Sequence, residues 1–399
     1  MGKFELLAPA GDLNRLKIAI LYGADAVFIG GKIFSLRAKA SNFTIEDIKE
    51  GVIFAKKHNA KVYITVNIVP QETDFNELDA YLLDLDKADI DAIIVSSITV
   101  LKRAKELGCK YEVHISTQHS IANSLSVDFF KSLGADRVVL ARETSIEDIT
   151  TIKQKTNFPL EVFIHGGVCS SFSGRCTLSN FMVNRDANKG GCAHSCRWFY
   201  SLYKENSLLS DDPFTLASYD LMAIDYIPKL IDANIDSFKI EGRMKSSYYI
   251  ANIVRIYRNL IDTYVKNKSI SKKELNNYKK EILNFENRAL SPVFLNKNLK
   301  NQGLLLDNGN SNPSQSFIGF VLSESNKENF VLIEQRNHFK LNEKVEIIGP
   351  NNFKKTFTIK EMYDIDGNLL DVAKHAQQLI KIKVPCYIPK DSFIRKKGK

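Results

Sequence analysis

One phrase recurs along this chain and limits its fold more than any other feature. Ala24-Asp25-Ala26-Val27-Phe28-Ile29 is echoed by Ile90-Asp91-Ala92-Ile93-Ile94-Val95, by Ala135-Asp136-Arg137-Val138-Val139-Leu140 and by Ile235-Asp236-Ser237-Phe238-Lys239-Ile240. Each copy is an Asp turn leading into an apolar run of strand length, and each follows a helical pattern. Further apolar runs lie between the copies, at Val62–Val69, Tyr111–Ile115 and Leu160–Ile164. Helical patterns separate them, for example Ile45–His58, Phe75–Lys87 and Ile146–Lys155, and Asp12 is placed to cap the first helix. Strands that alternate with helices imply a parallel sheet. The strands fall near residues 4, 26, 62, 92, 111, 137, 160 and 237, which makes eight βα units. Eight is the number that closes a (β/α)8 TIM-like barrel. An open doubly wound sheet is the alternative architecture, but no G-x-G-x-x-G loop supports it.

The spacing between the seventh and eighth strands is far longer than the others. It leaves room for a Cys-rich insertion at 166–234 within a barrel of residues 1–265. Ile250, Ile253, Val254, Tyr257, Ile261 and Tyr264 follow helical spacing and mark the last barrel helix. Residues 266–315 read as a polar helix and an Asn-, Ser- and Gly-rich linker. From 316 to 399 short strands alternate with turns, at Phe317–Leu322, Asn329–Glu334, Lys344–Ile348, Lys355–Met362 and Leu379–Val384. This reads as a small all-β barrel that ends in a basic tail, Arg395-Lys396-Lys397.

Four of the six cysteines fall within the insertion: Cys169, Cys176, Cys192 and Cys196. Only the last pair has the short C-x3-C spacing of a zinc knuckle. An iron–sulfur cluster tolerates looser spacing because it spans more volume than one ion. A cluster, a zinc site, and structural or catalytic thiols all remain open on the residues alone. Cys109 and Cys386 are isolated and read as structural thiols.

The block Glu161–Ser179, EVFIHGGVCSSFSGRCTLS, resembles the signature of the collagenase-like peptidase family, U thirty-two. NKGGCAHSCRWFY and IDSFKIEGRMKSSYYIANIVRIYR resemble two further blocks of it. Within the family the chain is most similar to the prephenate-dependent tRNA uridine 5-hydroxylases. That resemblance implies a [4Fe–4S] cluster on Cys169, Cys176, Cys192 and Cys196. It implies oxygen-independent hydroxylation of the wobble uridine of tRNA, at the anticodon, with prephenate as the small acidic oxygen donor. The family's aromatic, glycine-rich phrase near 288–295 is replaced here by Arg288-Ala289-Leu290-Ser291-Pro292-Val293-Phe294. One alternative is a peptidase with Cys169 as nucleophile and His165 as base. Another is a cluster-carrying partner for a paralogous subunit, since some family members act in pairs in quinone synthesis.

Chemistry in such barrels sits at the C-terminal ends of the strands. Those ends read Asn67, Gln118, Arg142-Glu143, His165 and Glu241-Gly242-Arg243, and nearby loops add Ser35, Arg37 and Lys245. His165, Glu241 and Arg243 are the candidate catalytic residues. Asn67, Gln118, Arg142, Glu143, Arg37 and Lys245 are the candidate substrate-binding residues. The strand interiors read as apolar, so these groups would form a cationic pocket at one open end. Arg142 and Arg243 would flank an acid, because the guanidinium fork binds carboxylates bidentately. His165 has three readings: the peptidase base, a proton donor beside the cluster, or a ring that merely ends its strand. The formal charge of +9 suits a polyanion such as RNA, though a solvated lysine-rich surface explains it equally. No apolar run reaches membrane-spanning length, and MGKFELLAPAGDL lacks a signal peptide's apolar stretch. A cytoplasmic protein with reduced thiols and no membrane partner is expected.

Overall fold

The computed structural model describes residues 4–36, 42–297 and 317–397. Strands β1 (Glu5–Pro9), β2 (Ala26–Gly30), β3 (Lys61–Val66), β4 (Ala92–Val95), β5 (Glu112–Ile115), β6 (Arg137–Val139) and β7 (Leu160–Gly166) pair in chain order, all parallel. The eighth barrel strand, Ser237–Ile240, pairs parallel with both β7 and β1 and closes the barrel. The recurring Asp has a structural reason. Asp25, Asp91, Asp136 and Asp236 accept the backbone N–H of Leu6, Val62, Val113 and Leu160, each at 2.8 Å. Each Asp precedes an even-numbered strand and ties it to the strand before, so the phrase recurs on alternate strands. Asp12 caps the helix Leu13–Leu21 as expected, accepting from Arg15 N at 2.8 Å.

The apolar core lies between the sheet and its helices, as it must when a parallel sheet is covered. The expectation of apolar strand interiors is corrected inside the barrel. Leu7, Ala26, Phe28, Tyr63, Ala92 and Ile94 form a small inner cluster. Around it Glu5, His114, Arg137, Glu161 and Lys239 are buried or nearly so. Arg137 reaches Glu5 at 2.6 Å and Glu161 at 3.3 Å, and Lys239 reaches Glu161 at 2.6 Å. Burial pushes the Glu161 carboxyl up, but Lys239 and Arg137 hold it below its ordinary range. These charges stay inside because each is paired.

The insertion holds a short helix, Leu178–Val183, and a hairpin, Tyr203–Lys204 with Ser207–Leu208. The strand Asp220–Met222 then returns antiparallel to the end of β7, and Leu290–Ser291 adds beside it. The altered phrase at 288–295 is thus built into the sheet. The helix Ile227–Asp232, which falls within the 166–234 segment, packs its buried Ile227, Leu230 and Ile231 into the barrel core.

The C-terminal strands form one curled antiparallel sheet around a core of their own. Its order is Phe353–Thr358, Lys344–Gly349, Phe393–Lys396, Phe317–Val321, Phe330–Gln335, Leu379–Lys383, Met362–Tyr363. Two expectations are corrected here. The single strand read at Lys355–Met362 is two strands. The basic tail is no tail through Lys396, because Phe393–Lys396 is an interior strand. Arg395 is 1% exposed and donates to Glu346 at 2.5 Å, to Asn252 of the long helix Ser247–Asn267 at 2.6 Å, and to Glu281 of Lys272–Leu283 at 2.9 Å. Tyr248 stacks on Phe317 with ring centroids 4.5 Å apart, and Phe393 packs beside both. The sheet is therefore docked on the barrel by an aromatic seam and a buried ion cluster. The linker read at 296–315 falls mostly outside the described residues. No helix among the described residues is long and apolar enough to cross a membrane.

Candidate functional site

The insertion covers the C-terminal end of the barrel and bounds a cavity of about 440 Å³, a size suited to a small ligand. Cys169, Cys176, Cys192 and Cys196 line it from the insertion. Thr65, Asn67, Gln118, Arg142, Phe163, Lys239, Glu241 and Arg243 line it from the barrel. None of the six cysteines is in a disulfide. Two of the four carry a matching contact: Leu178 N donates to Cys176 Sγ at 3.3 Å, and His194 N donates to Cys192 Sγ at 3.5 Å. An amide two residues on thus faces each sulfur. Among the described residues no group of three or more His, Cys, Asp or Glu is arranged to hold a single metal ion. The thiols line a cavity and do not converge on one point.

Several struts hold this loop over the barrel. Glu143 accepts from Ser173 N at 2.7 Å and from Ser173 Oγ at 3.1 Å. Lys189 pairs with Asp74 at 2.9 Å, and Asn188 Nδ2 donates to the Cys176 carbonyl at 3.2 Å. Behind Cys196, Arg197 pairs with buried Asp220 at 3.3 Å, and Arg288 approaches the same oxygen at 3.5 Å. Burial raises the Asp220 carboxyl, and Arg197 only partly offsets it. Glu143 therefore anchors the loop, where the sequence had suggested substrate contact.

Asn67 and Gln118 meet, with Asn67 Nδ2 donating to Gln118 Oε1 at 2.9 Å. Arg142 stacks on Phe163, its Cζ 3.7 Å from the ring centroid, and pairs loosely with Glu241 at 3.4 Å. Arg243 is buried at the rim. Its Nη1 donates to Ser35 and Thr65 at 2.9 Å, and its Nη2 to the Leu36 carbonyl at 2.7 Å and to Asn42 at 3.2 Å. Gly30 makes room for this, since a Cβ there would lie 2.2 Å from Arg243 Nη1. All four terminal protons of the fork are engaged, three by the loop after β2 and one by Thr65 of β3. A carboxylate clamp by Arg243 would have to displace two of these bonds. Arg37 lies outside the described residues.

His165 and Lys245 do not line the cavity. His165 is 0% exposed and packs against Tyr249 and Tyr257 of the helix Ser247–Asn267. Tyr257 donates its proton to the Ile164 carbonyl at 3.0 Å, so His165 Nδ1 donates to Tyr257, 3.2 Å away. Strand alternation would have put His165 on the same face as Glu161 and Phe163. The register instead shifts between Lys239↔Phe163 and Ile240↔His165, and this irregularity turns His165 to the helix side. The ring thus stands in a buried network and does not face the cavity from which a base or proton donor would act. Lys245 pairs with Glu286 at 2.9 Å and lies over Tyr249 at 4.5 Å. Burial pushes the Glu286 carboxyl up, but His165 and Lys245 hold it below its ordinary range. Lys239 and Phe163 were missed as lining residues. Their signal was available: Lys239 is a charge within an apolar strand, in phase with Ser237.

The model of peptidase family U32 matches residues 11–304, and that of its C-terminal domain matches 313–395. The Bacillus subtilis tRNA hydroxylation protein P1 is 43% identical over 404 residues, covering 99% of this chain and 95% of its own. An Escherichia coli 23S rRNA 5-hydroxycytidine synthase is 37% identical over 265 residues, covering 66% of this chain and 40% of its own. A Porphyromonas gingivalis collagenase is 35% identical over 276 residues, covering 65% of this chain and 66% of its own. Through both its barrel and its C-terminal sheet, this chain belongs to peptidase family U32.

Proposed function

We propose that this protein is an RNA hydroxylase. Its target is carbon 5 of the wobble uridine of tRNA, and its oxygen donor is prephenate. The observation that carries the reading is one cavity lined on one side by four cysteines and on the other by Arg142, Lys239 and Arg243. A relative named for tRNA hydroxylation that aligns with nearly the whole chain supports it. Cys169, Cys176, Cys192 and Cys196 would hold a [4Fe–4S] cluster, since four thiolates around a volume, two with amide donors, suit one. Such a cluster supplies one-electron redox chemistry beside the bound donor. The chain's own part is to bind and orient. Arg142 and Lys239 attract an acid, Phe163 and Phe28 offer apolar walls, and the insertion limits water. The base must leave its stack to reach this cavity. Nucleosides from a strain lacking the gene, with and without the wild-type copy, test the function by mass spectrometry. Hydroxyuridine that is unchanged by the deletion overturns it. The peptidase reading takes His165 as its base, and that ring is buried away from the cavity.

This reading gives the RNA contact to the insertion, where exposed rings gather, and not to Arg395, which is buried. Phe181 is 84% exposed and Phe199 63%, with Trp198, Tyr203 and Phe214 also exposed. Exposed rings near basic side chains such as Arg185 and Lys204 serve base stacking. Phe181→Ala and Phe199→Ala are each expected to weaken tRNA binding by about 1–3 kcal/mol, with iron content unchanged. Filter binding at several salt concentrations checks this. Full affinity in the double variant would remove the insertion as the RNA surface.

A further inference from the structure

We infer that the cavity's barrel side is a seat for a small organic dianion, made by Gln118, Lys239 and Arg142. The inference rests on the acidic-donor reading above and names the groups that recognise the donor.

Gln118 is 5% exposed and lines the cavity. Its Oε1 accepts from Asn67 at 2.9 Å and from Ser116 Oγ at 3.2 Å, which fixes the orientation of the amide. Its Nε2 is then a buried donor without a partner. Native structures seldom bury such a group without a use for it. Lys239 lines the same cavity and donates to Glu161 at 2.6 Å. Its ammonium lies 4.6 Å from the Phe28 centroid and 5.3 Å from that of Phe163. Two ammonium protons remain for a ligand. If Lys239 turns toward one, Glu161 keeps Arg137 at 3.3 Å. Arg142 stacks on the same Phe163 ring at 3.7 Å, and its contact with Glu241 is long, at 3.4 Å.

Two cations thus flank one aromatic wall, with an unmet amide donor beside them. A molecule with two carboxylates can meet both charges and lay an apolar face on Phe163. Arg243, by contrast, already has its fork committed to the loop after β2 and to Thr65 of β3.

The test is calorimetric titration of the full-length protein, purified anaerobically, with prephenate and separately with malonate. The variants are Gln118→Glu and Lys239→Gln. Gln118→Glu keeps the oxygen that serves Asn67 and Ser116 and puts a negative charge where the amide stood. Each variant is expected to weaken prephenate binding about tenfold or more, with iron content unchanged. If Lys239→Gln melts early, Gln118→Glu decides alone. Malonate binding that both variants lose, with no prephenate binding, keeps the seat and removes the donor reading. Wild-type protein that binds neither dianion, or Gln118→Glu that binds as wild type does, overturns the seat.

Discussion

Serine in place of Cys169, Cys176, Cys192 or Cys196 is expected to abolish bound iron, acid-labile sulfide and hydroxyuridine formation. Serine at Cys109 or Cys386 is expected to leave all three intact. The contrast follows from placement. The first four thiols line one cavity, whereas Cys109 packs on the barrel core with its sulfur 3.9 Å from the Leu82 carbonyl. Cys386 packs on the core of the C-terminal sheet. A hydroxyl in place of a thiolate removes a soft ligand, and a cluster held by four such ligands rarely survives the loss of one. Iron and sulfide assays on anaerobic preparations of all six variants give the answer. Stoichiometric zinc without iron in the wild type would turn the site into a zinc centre. Iron retained at full level in any one of the four variants would remove that thiol from the ligand set.

Arg395→Ala is expected to be the most destabilising single change at the junction of the two domains. The guanidinium is nearly inaccessible and bridges Glu346, Glu281 and Asn252. Removing it leaves two carboxylates short of charge in a buried place, a change of about 3–5 kcal/mol. Burial pushes the Glu281 carboxyl up, but Arg255, Lys354 and Arg395 hold it down to about 2, from an ordinary 4.5. A depressed carboxylate contributes stability that is complete above its unfolded value. That stability is lost as acid protonates it in the fold. The junction is therefore expected to weaken as pH falls from about 4.5 toward about 2, and less steeply in Arg395→Ala. Thermal melts across that range measure both effects. The folded variant should keep the wild-type salt dependence of tRNA binding, because a buried arginine contacts no phosphate. A lower salt slope, with unchanged stability, would restore the strand to the RNA surface.

The barrel was legible because its signals are local. An apolar run, an Asp turn and a helical period each span a few residues, and the repeated Asp reports its own hydrogen bond to the neighbouring strand. The grouping of the four cysteines was legible for the same reason, since they fall within one segment of the chain, and the structure brings them to one cavity. The sheet at the C-terminus was legible except for its last interior strand and the division of Lys355–Met362 into two strands. A run of Arg-Lys-Lys looks solvated until Glu281, Glu346 and Asn252 are brought to it from distant positions.

The roles of the rim residues needed the tertiary structure, because a side chain's role depends on what lies across from it. His165 and Lys239 show this most directly. Read along the strand, His165 stands at the open end and Lys239 within an apolar run. One register shift beside β7 turns the histidine onto Tyr257, while the closed barrel aims the lysine at the cavity, over Phe28 and Phe163. Arg243 likewise has a fork suited to a carboxylate, yet Ser35, Thr65, Leu36 and Asn42 take its protons. Periodicity and composition determined the elements, their order and the clustered thiols. Pairing register and long-range partners, which no local pattern encodes, decided which polar groups face the ligand and which hold the fold.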